Sequence, residues 1–451
     1  LMGKDAASNA PMAEVGFEDA LESASRLVEI LKGEDVDLIL CLSHSGTAGT
    51  SPKTEDEILA REVPGIDVII SGHSHTELKK PLIIGTTIIG SCGQYGQNLG
   101  ILKITRNTGE GWKLKDYRLK AIDENVPADE KIDGLVDSFK DLVQENYLAD
   151  FNLVFDQVLA YSPFNVTPPA QIGEEHREEP LANLIGDAYR YAVQSAEGED
   201  YEPIAAALVP SGTIRGSFLA GNLTTADVFI VSSLGIGRDG IPGYPLVSVY
   251  LTGRELKTVC EVDASVAPLM SAAQLYLSGL SYSFNPNRLI FNKVMDVHLD
   301  HLDGSLEALD DNRLYRVVAG LYSGQMLPVV SAKSWGLLSV VPKDKEGVPI
   351  ENLEEQIILD RAGGREIKEW YALAQYLESF QPKDGLPVIP AYYSQPQGRK
   401  VVNKSLNLFL LLKNPNKFSL LASLTVIILL LALVFLVKKI RRRKRQVLRR
   451  Y

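Results

Sequence analysis

Asp67-Val-Ile-Ile-Ser-Gly-His-Ser-His-Thr76 is the stretch on which the reading of this 451-residue chain turns. An apolar run, Val68-Ile69-Ile70, ends in Ser71-Gly72 and then presents His73 and His75 two positions apart. The pattern is that of a buried strand delivering two imidazoles at its carboxyl end. A second unit of the same kind lies upstream, where Val36-Asp-Leu-Ile-Leu-Cys-Leu42 is followed by Ser43-His44-Ser45-Gly46. Unbroken apolar runs of this sort fit strands covered on both faces, as in an α/β layer. The chain has six histidines, and three of them follow these two consecutive strands. Open α/β sheets place their chemistry at such carboxyl ends. A single histidine after a strand is commonly a hydrogen-bonded loop residue. Three at equivalent positions point to a metal site, because neutral imidazole is the commonest ligand for zinc-like ions.

Working outward, residues 15 to 32 predict an amphipathic helix, with Phe17, Leu21, Ala24, Leu27, Val28 and Leu31 on one face and Gly33 past its end. Thr54-Glu-Asp-Glu57 reads as a capping box for a short helix to about Glu62. Further strands are expected within Thr86–Ile104 and Trp112–Ile122. Together these make strand–helix units followed by an antiparallel run. Residues 123 to 150 are charged and helix-periodic at Ile132, Leu135, Val136, Phe139, Leu142 and Val143. A second α/β domain is expected over 151–380. It contains a helical stripe at Leu181, Leu184, Ile185, Ala188, Ala192 and Val193, an apolar run to Val209, and a capping box at Thr252-Gly-Arg-Glu255. Pro382, Pro387, Pro390 and Pro396 predict a stalk over 381–417.

Phe418 to Val437 is 20 residues without a charge. At 1.5 Å per residue it spans about 30 Å, the hydrocarbon thickness of a bilayer. The last 14 residues then carry nine positive charges and no negative ones. By the positive-inside rule the tail 438–451 is cytoplasmic and the preceding residues face outward, which predicts a single-pass protein of the cell membrane. Without the tail's nine charges, 37 basic residues face 57 acidic ones, a net charge near −20. So acidic a domain has no footprint for nucleic-acid polymers. Cys41, Cys92 and Cys260 are too few for a disulfide framework.

The two histidine stretches, Cys41-Leu-Ser-His-Ser-Gly46 and Ser71-Gly-His-Ser-His-Thr76, resemble the last two metal motifs of the calcineurin-like metallophosphatases. More narrowly they resemble the 5'-nucleotidase and UDP-sugar hydrolase family. The likeness continues through Gly90–Gly100, Glu179-Pro-Leu-Ala-Asn-Leu-Ile-Gly-Asp-Ala-Tyr189, Gly212-Thr-Ile-Arg215 and Leu275–Tyr282. It implies part of a four-layer metallophosphatase domain over 1–122, a helical linker over 123–150, and a substrate-binding domain over 151–380. It also implies two divalent ions, of zinc, manganese, iron or cobalt, with His44 and His73 on one ion and His75 on the other. The implied partner is a small phosphate ester, above all a nucleotide.

Two features depart from the family. Its first two motifs, "Asp-x-His" and "Gly-Asn-His-Asp/Glu", have no match before His44, the chain opens at Leu1, and no signal peptide precedes it. The expectation is a chain without its N-terminal part and inactive by itself. A degenerate, membrane-tethered binding or adhesion protein on a decayed nucleotidase fold is the alternative. On the substrate side, Pro210-Ser-Gly-Thr-Ile-Arg215 stands where the family has a glycine-rich turn, so Arg215 carries over as a phosphate or ribose contact. Tyr276 and Tyr322 stand in the regions of the family's base-stacking aromatics.

Overall fold

In the computed structural model the two apolar runs become neighbouring parallel strands, β1 (Leu40–Ser43) and β2 (Val68–Ser71), paired from Leu40–Val68 to Ser43–Ser71. The structure describes residues 1–8, 15–48, 54–106, 109–168, 171–173, 175–268, 274–301, 303–361 and 364–448. The chain divides into two units, Leu1–Ser138 and Phe139–Tyr451.

In the first unit, β3 (Leu82–Ile84) and β4 (Thr87–Gly90) complete a sheet of order β1-β2-β4-β3, in which only β3 runs antiparallel. β5 (Asn98–Thr105) and β6 (Lys113–Ala121) form a separate antiparallel ladder. The helix expected over 15–32 runs Ala20–Gly33, later than its apolar spacing predicts, because the Asp19 carboxylate accepts the Leu21 and Glu22 amides and starts it there. Phe17 lies outside it. Ala24 and Val28 from this helix, Leu59 and Ala60 from the helix Glu55–Glu62, and Ile69 and Ile89 from the sheet share one core. Thr54 stands at the N-cap as expected, but it makes no capping bond to the backbone. Its hydroxyl donates to the Glu57 carboxylate instead.

Side chains alternate across a strand, so Cys41 and Ile69 face the helices while Leu40, Leu42 and Ile70 face away. The cover expected on both faces is therefore found on one and is partial on the other. On the other face Val68 and Ile88 are buried, but Leu40, Leu42 and Ile70 are 55%, 71% and 43% exposed. The helix Glu130–Asn146 forms within the expected 123–150 and has no buried residue; its predicted apolar stripe is exposed.

The second unit is built on β8 (Ala206–Pro210), β10 (Leu246–Thr252), β11 (Leu275–Ser278) and β15 (Leu314–Gly320), in the order β10-β15-β8-β11. One face carries Ala207, Val209, Tyr276 and Val318 against the helices Pro180–Glu197 and Glu369–Glu378. The opposite face carries Leu208, Val249, Leu251 and Val317 against the helix Gly253–Val266 and a second sheet. That sheet consists of β12 (Leu280–Phe284), β13 (Val294–Asp300), β14 (Leu306–Ala308) and β18 (Lys400–Val402), in the order β14-β13-β12-β18. A small ladder joins β7 (Val158–Ser162) to β9 (Gly221–Thr224). The predicted capping box is present: Thr252 Oγ1 accepts the Glu255 amide, and Glu255 accepts the Thr252 amide at 2.9 Å. A side chain at Gly253 would meet the Asp310 carbonyl oxygen at 2.1 Å, so only glycine fits there.

The segment expected as a stalk is largely folded onto this unit. Asp384 and Gly385, both at positive φ, turn β16 (Pro382–Lys383) into β17 (Leu386–Pro387). Ile389 is buried, and its amide donates to the Tyr161 carbonyl. Arg399 grips Asp187 with two bonds of 2.8 and 2.7 Å, and β18 pairs parallel to β12. Proline-rich spacing hid a hairpin and an edge strand, because prolines are tolerated at just such edges. Beyond it, the helix Lys417–Leu448 contains Ser419–Lys439, 21 residues whose most apolar 18-residue stretch has a mean hydropathy of 3.2, long and apolar enough to cross a membrane.

Candidate functional site

The parallel register places Ser43 beside Ser71, so the residues that follow the two strands emerge together. His44 Nε2 lies 3.3 Å from His73 Nδ1, with the rings tilted by 58°. Two nitrogens bound to one tetrahedral ion at about 2.0–2.1 Å lie about 3.3–3.4 Å apart, so this spacing fits two ligands of one metal. Burial, and then the neighbouring His73, push the His44 imidazole below its usual pKa, which favours the neutral ligand form. His73 and His75 both adopt left-handed backbone, at φ 63° and 55°. Such conformations cost energy in residues with a side chain and concentrate at functional sites. Gly72 lets the turn pass close to β1: its amide donates to the Ser43 carbonyl at 2.9 Å, and a side chain there would press on that same oxygen.

His75 turns elsewhere, with its ring edge-on to Tyr95 at 5.5 Å. Among the described residues no group of three His, Cys, Asp or Glu side chains could hold an ion. The donor set is thus two adjacent imidazoles, which suits one side of a divalent-ion site and lacks the shared carboxylate that a pair of ions requires.

Beneath the histidines lies a polar layer that sequence reasoning passed over. Asp56 is fully buried on the first turn of the helix Glu55–Glu62. Its carboxylate accepts Ser43 Oγ at 2.6 Å and Ser71 Oγ at 2.5 Å, and Ser45 Oγ lies 2.9 Å from Ser43 Oγ. Burial raises the Asp56 pKa, while the two serine bonds oppose the rise. Glu57, also buried, accepts Thr47 Oγ1 at 2.6 Å. The Thr47 carbonyl in turn accepts Ser74 Oγ at 2.8 Å and Thr76 Oγ1 at 2.5 Å. The two histidine loops are therefore bonded to each other and to one helix. The signal was present in Glu55-Asp56-Glu57, which reads as a capping pattern until the fold shows what the carboxylates touch.

The residues carried over for substrate binding lie in the second unit. Arg215 is half-buried; its amide donates to the Val231 carbonyl, and its side chain makes no hydrogen bond or ion pair among the described residues. Tyr276 is 1% exposed and belongs to the core, with Lys400 Nζ 4.4 Å above its ring. Tyr322 rests against Tyr244 at 5.5 Å and lines a small apolar cavity with Leu208, Val259, Leu275 and Met326. No hydrogen bond, ion pair or ring contact joins these three among the described residues. Lys400 also donates to the fully buried Asp263 at 3.0 Å, and the same carboxylate takes His176 at 2.9 Å and Tyr282 at 2.5 Å. Burial opposes its charge, yet Lys400 and His176 hold the Asp263 pKa at about 2.

Residues 162–326 match the family described as 5'-nucleotidase, C-terminal domain. The chain is 27% identical over 329 residues to the trifunctional nucleotide phosphoesterase protein YfkN of Bacillus subtilis, covering 71% of this chain and 20% of that protein. It is 34% identical over 280 residues to the uncharacterized metallophosphoesterase YunD of the same organism, covering 58% of this chain and 48% of that one. The chain thus spans half or less of the length of these relatives. A 5'-nucleotidase precursor from Thermus thermophilus shares the fold, with a TM-score of 0.61 at 23% identity over 86% of this chain and 68% of that one. The domain match and the relatives support a likeness to the 5'-nucleotidase family, and the fold is that of a 5'-nucleotidase precursor.

Proposed function

We propose that this chain is part of a membrane-anchored, metal-dependent phosphoester hydrolase acting on nucleotides or related phosphate esters. The observation that carries the reading is the 3.3 Å approach of His44 and His73 at the ends of adjacent parallel strands. His44 and His73 would hold one divalent ion, and His75 would serve a second. Ions of this kind supply an activated hydroxide and neutralise phosphate oxygens. Zinc, manganese, iron and cobalt all suit imidazole with carboxylate. A complete pair needs donors beyond those the described residues bring together. Arg215 would offer its guanidinium fork to phosphate or ribose, with Tyr322 the aromatic candidate for a base. The apolar helix would anchor the protein, with the basic residues after it on the cytoplasmic side.

The absence of a three-donor group among the described residues favours a second reading, a tethered binding protein on a decayed enzyme fold. Equilibrium dialysis of the detergent-solubilised chain against Zn2+ separates the two. Bound zinc that falls at least about tenfold in His73→Ala supports the metal site; no bound zinc, or equal binding by the variant, sinks it. Phosphate release from nucleoside monophosphates by the native membrane protein then tests the chemistry.

A further inference from the structure

We infer that Asp56 is the positioning residue of this metal site, setting the distance between His44 and His73 without touching the ion. The inference rests on the metal reading above and deepens it. Asp56 is 0% exposed, and each of its carboxylate oxygens accepts one serine hydroxyl, Ser43 from β1 and Ser71 from β2. Those serines are partners in the parallel register. Ser43 immediately precedes His44, and Ser71 stands two residues before His73. The Asp56 amide donates to the Gly46 carbonyl at 3.2 Å, which ties down the far side of the first histidine as well. The buried carboxylate therefore fixes the last residue of both strands, while the backbone amide of the same residue holds the loop after His44.

The geometry makes this more than packing. A strand end can slide or fray by several tenths of an ångström at little cost, and two ligands on separate strands would then lose their common focus. Ligand sets keep their affinity when outer partners hold them, and loss of such a partner typically lowers metal affinity by about 10–100-fold. Asp56 plays that part through the backbone. Glu57, Thr47, Ser74 and Thr76 join the two loops further out, so the Asp56 clamp is the inner of two.

The test is a Co2+ titration of the full chain in detergent, read by the visible absorption of the bound ion, with thermal unfolding measured alongside. Four variants are compared with the unaltered protein: Asp56→Ala, Ser71→Ala, Leu59→Ala and His73→Ala. Leu59 is a core residue of the same helix that touches neither histidine loop in the bonding described. Asp56→Ala is expected to weaken Co2+ about 10–100-fold and to alter the spectrum. Ser71→Ala, which removes one of the two ties, is expected to fall between it and the unaltered protein. Leu59→Ala is expected to lower the unfolding temperature but to leave affinity within about threefold, since cavity formation acts on stability. If Asp56→Ala does not fold, Ser71→Ala carries the same test. Affinity and spectrum unchanged in both Asp56→Ala and Ser71→Ala overturn the positioning role, as does an equal loss in Leu59→Ala. Absence of Co2+ binding in the unaltered protein, or undiminished binding by His73→Ala, overturns the metal reading and this inference with it.

Discussion

The central sheet of the second unit is buried on both faces, while the sheet that carries the histidines is buried on one face and only in part on the other. β8 shows the first case: all five of its residues are buried, between a helical layer and a second sheet. β1 shows the second, with Leu40 and Leu42 standing out toward solvent. Both strands have the same kind of apolar sequence. Burying a leucine fully contributes about 1.5–3 kcal/mol, so β8 collects a stabilisation that β1 forgoes at two positions. The first unit is instead held at its functional end by hydrogen bonds, through Asp56, Glu57 and hydroxyl side chains from both histidine loops. Apolar packing on both faces stabilises the second unit together with the buried Asp263–Lys400 pair, and polar bonding shapes the site in the first.

The largest expected effect tests the second unit. Asp263→Asn removes the charge that partners the buried Lys400 and leaves an ammonium without its anion. Breaking a buried pair in this way costs about 3–5 kcal/mol. Hydrogen exchange at the helix Gly253–Val266 should accelerate accordingly; unchanged protection would mean that packing alone holds this unit.

A pH effect comes next. Glu369 is 1% exposed, its Oε1 has no hydrogen bond among the described residues, and burial pushes its pKa up to about 8 from the ordinary 4.5. The folded state then keeps a proton that the unfolded state has lost, so stability falls as pH rises from about 4.5 to about 8 and levels off above that. Glu369→Gln, neutral throughout, should flatten the unfolding temperature between pH 5 and pH 9. It should gain a few kcal/mol over the unaltered protein at the alkaline end. A parallel decline in both proteins would place the pH dependence elsewhere.

The smallest effect is expected on the bare face. Leu42→Ser should change stability by less than about 0.5 kcal/mol, as surface substitutions usually do. A urea midpoint that drops as a core change would drop it shows that this face is covered in solution, and the contrast between the sheets then disappears.

Much of this was legible in the chain because it depends on local pattern. The apolar runs before His44 and His73, the periodicity of Pro180–Glu197, the Thr252–Glu255 box and the apolar span near the C-terminus are all set by neighbours in sequence. The approach of His44 to His73 was legible in part, since both follow adjacent parallel strands whose ends the register aligns, one residue beyond Ser43 and two beyond Ser71. Other features depended on residues far apart. Nothing within Glu55-Asp-Glu57 shows that its middle carboxylate clamps Ser43 and Ser71, 13 and 15 residues away. Tyr276 alternates between core and ligand face in any reading of a strand, and only the position of Lys400 and the helical layer places it inside. The segment 381–417 reads as a stalk until Asp187, Asp263 and β12 take up Arg399, Lys400 and the edge strand. Periodicity and capping arise from bonds between near neighbours, so the sequence by itself determined the elements and the two histidine boxes. Which face of a strand is covered, and which carboxylate meets which hydroxyl, arises from contacts across the fold, and only the tertiary structure decided those.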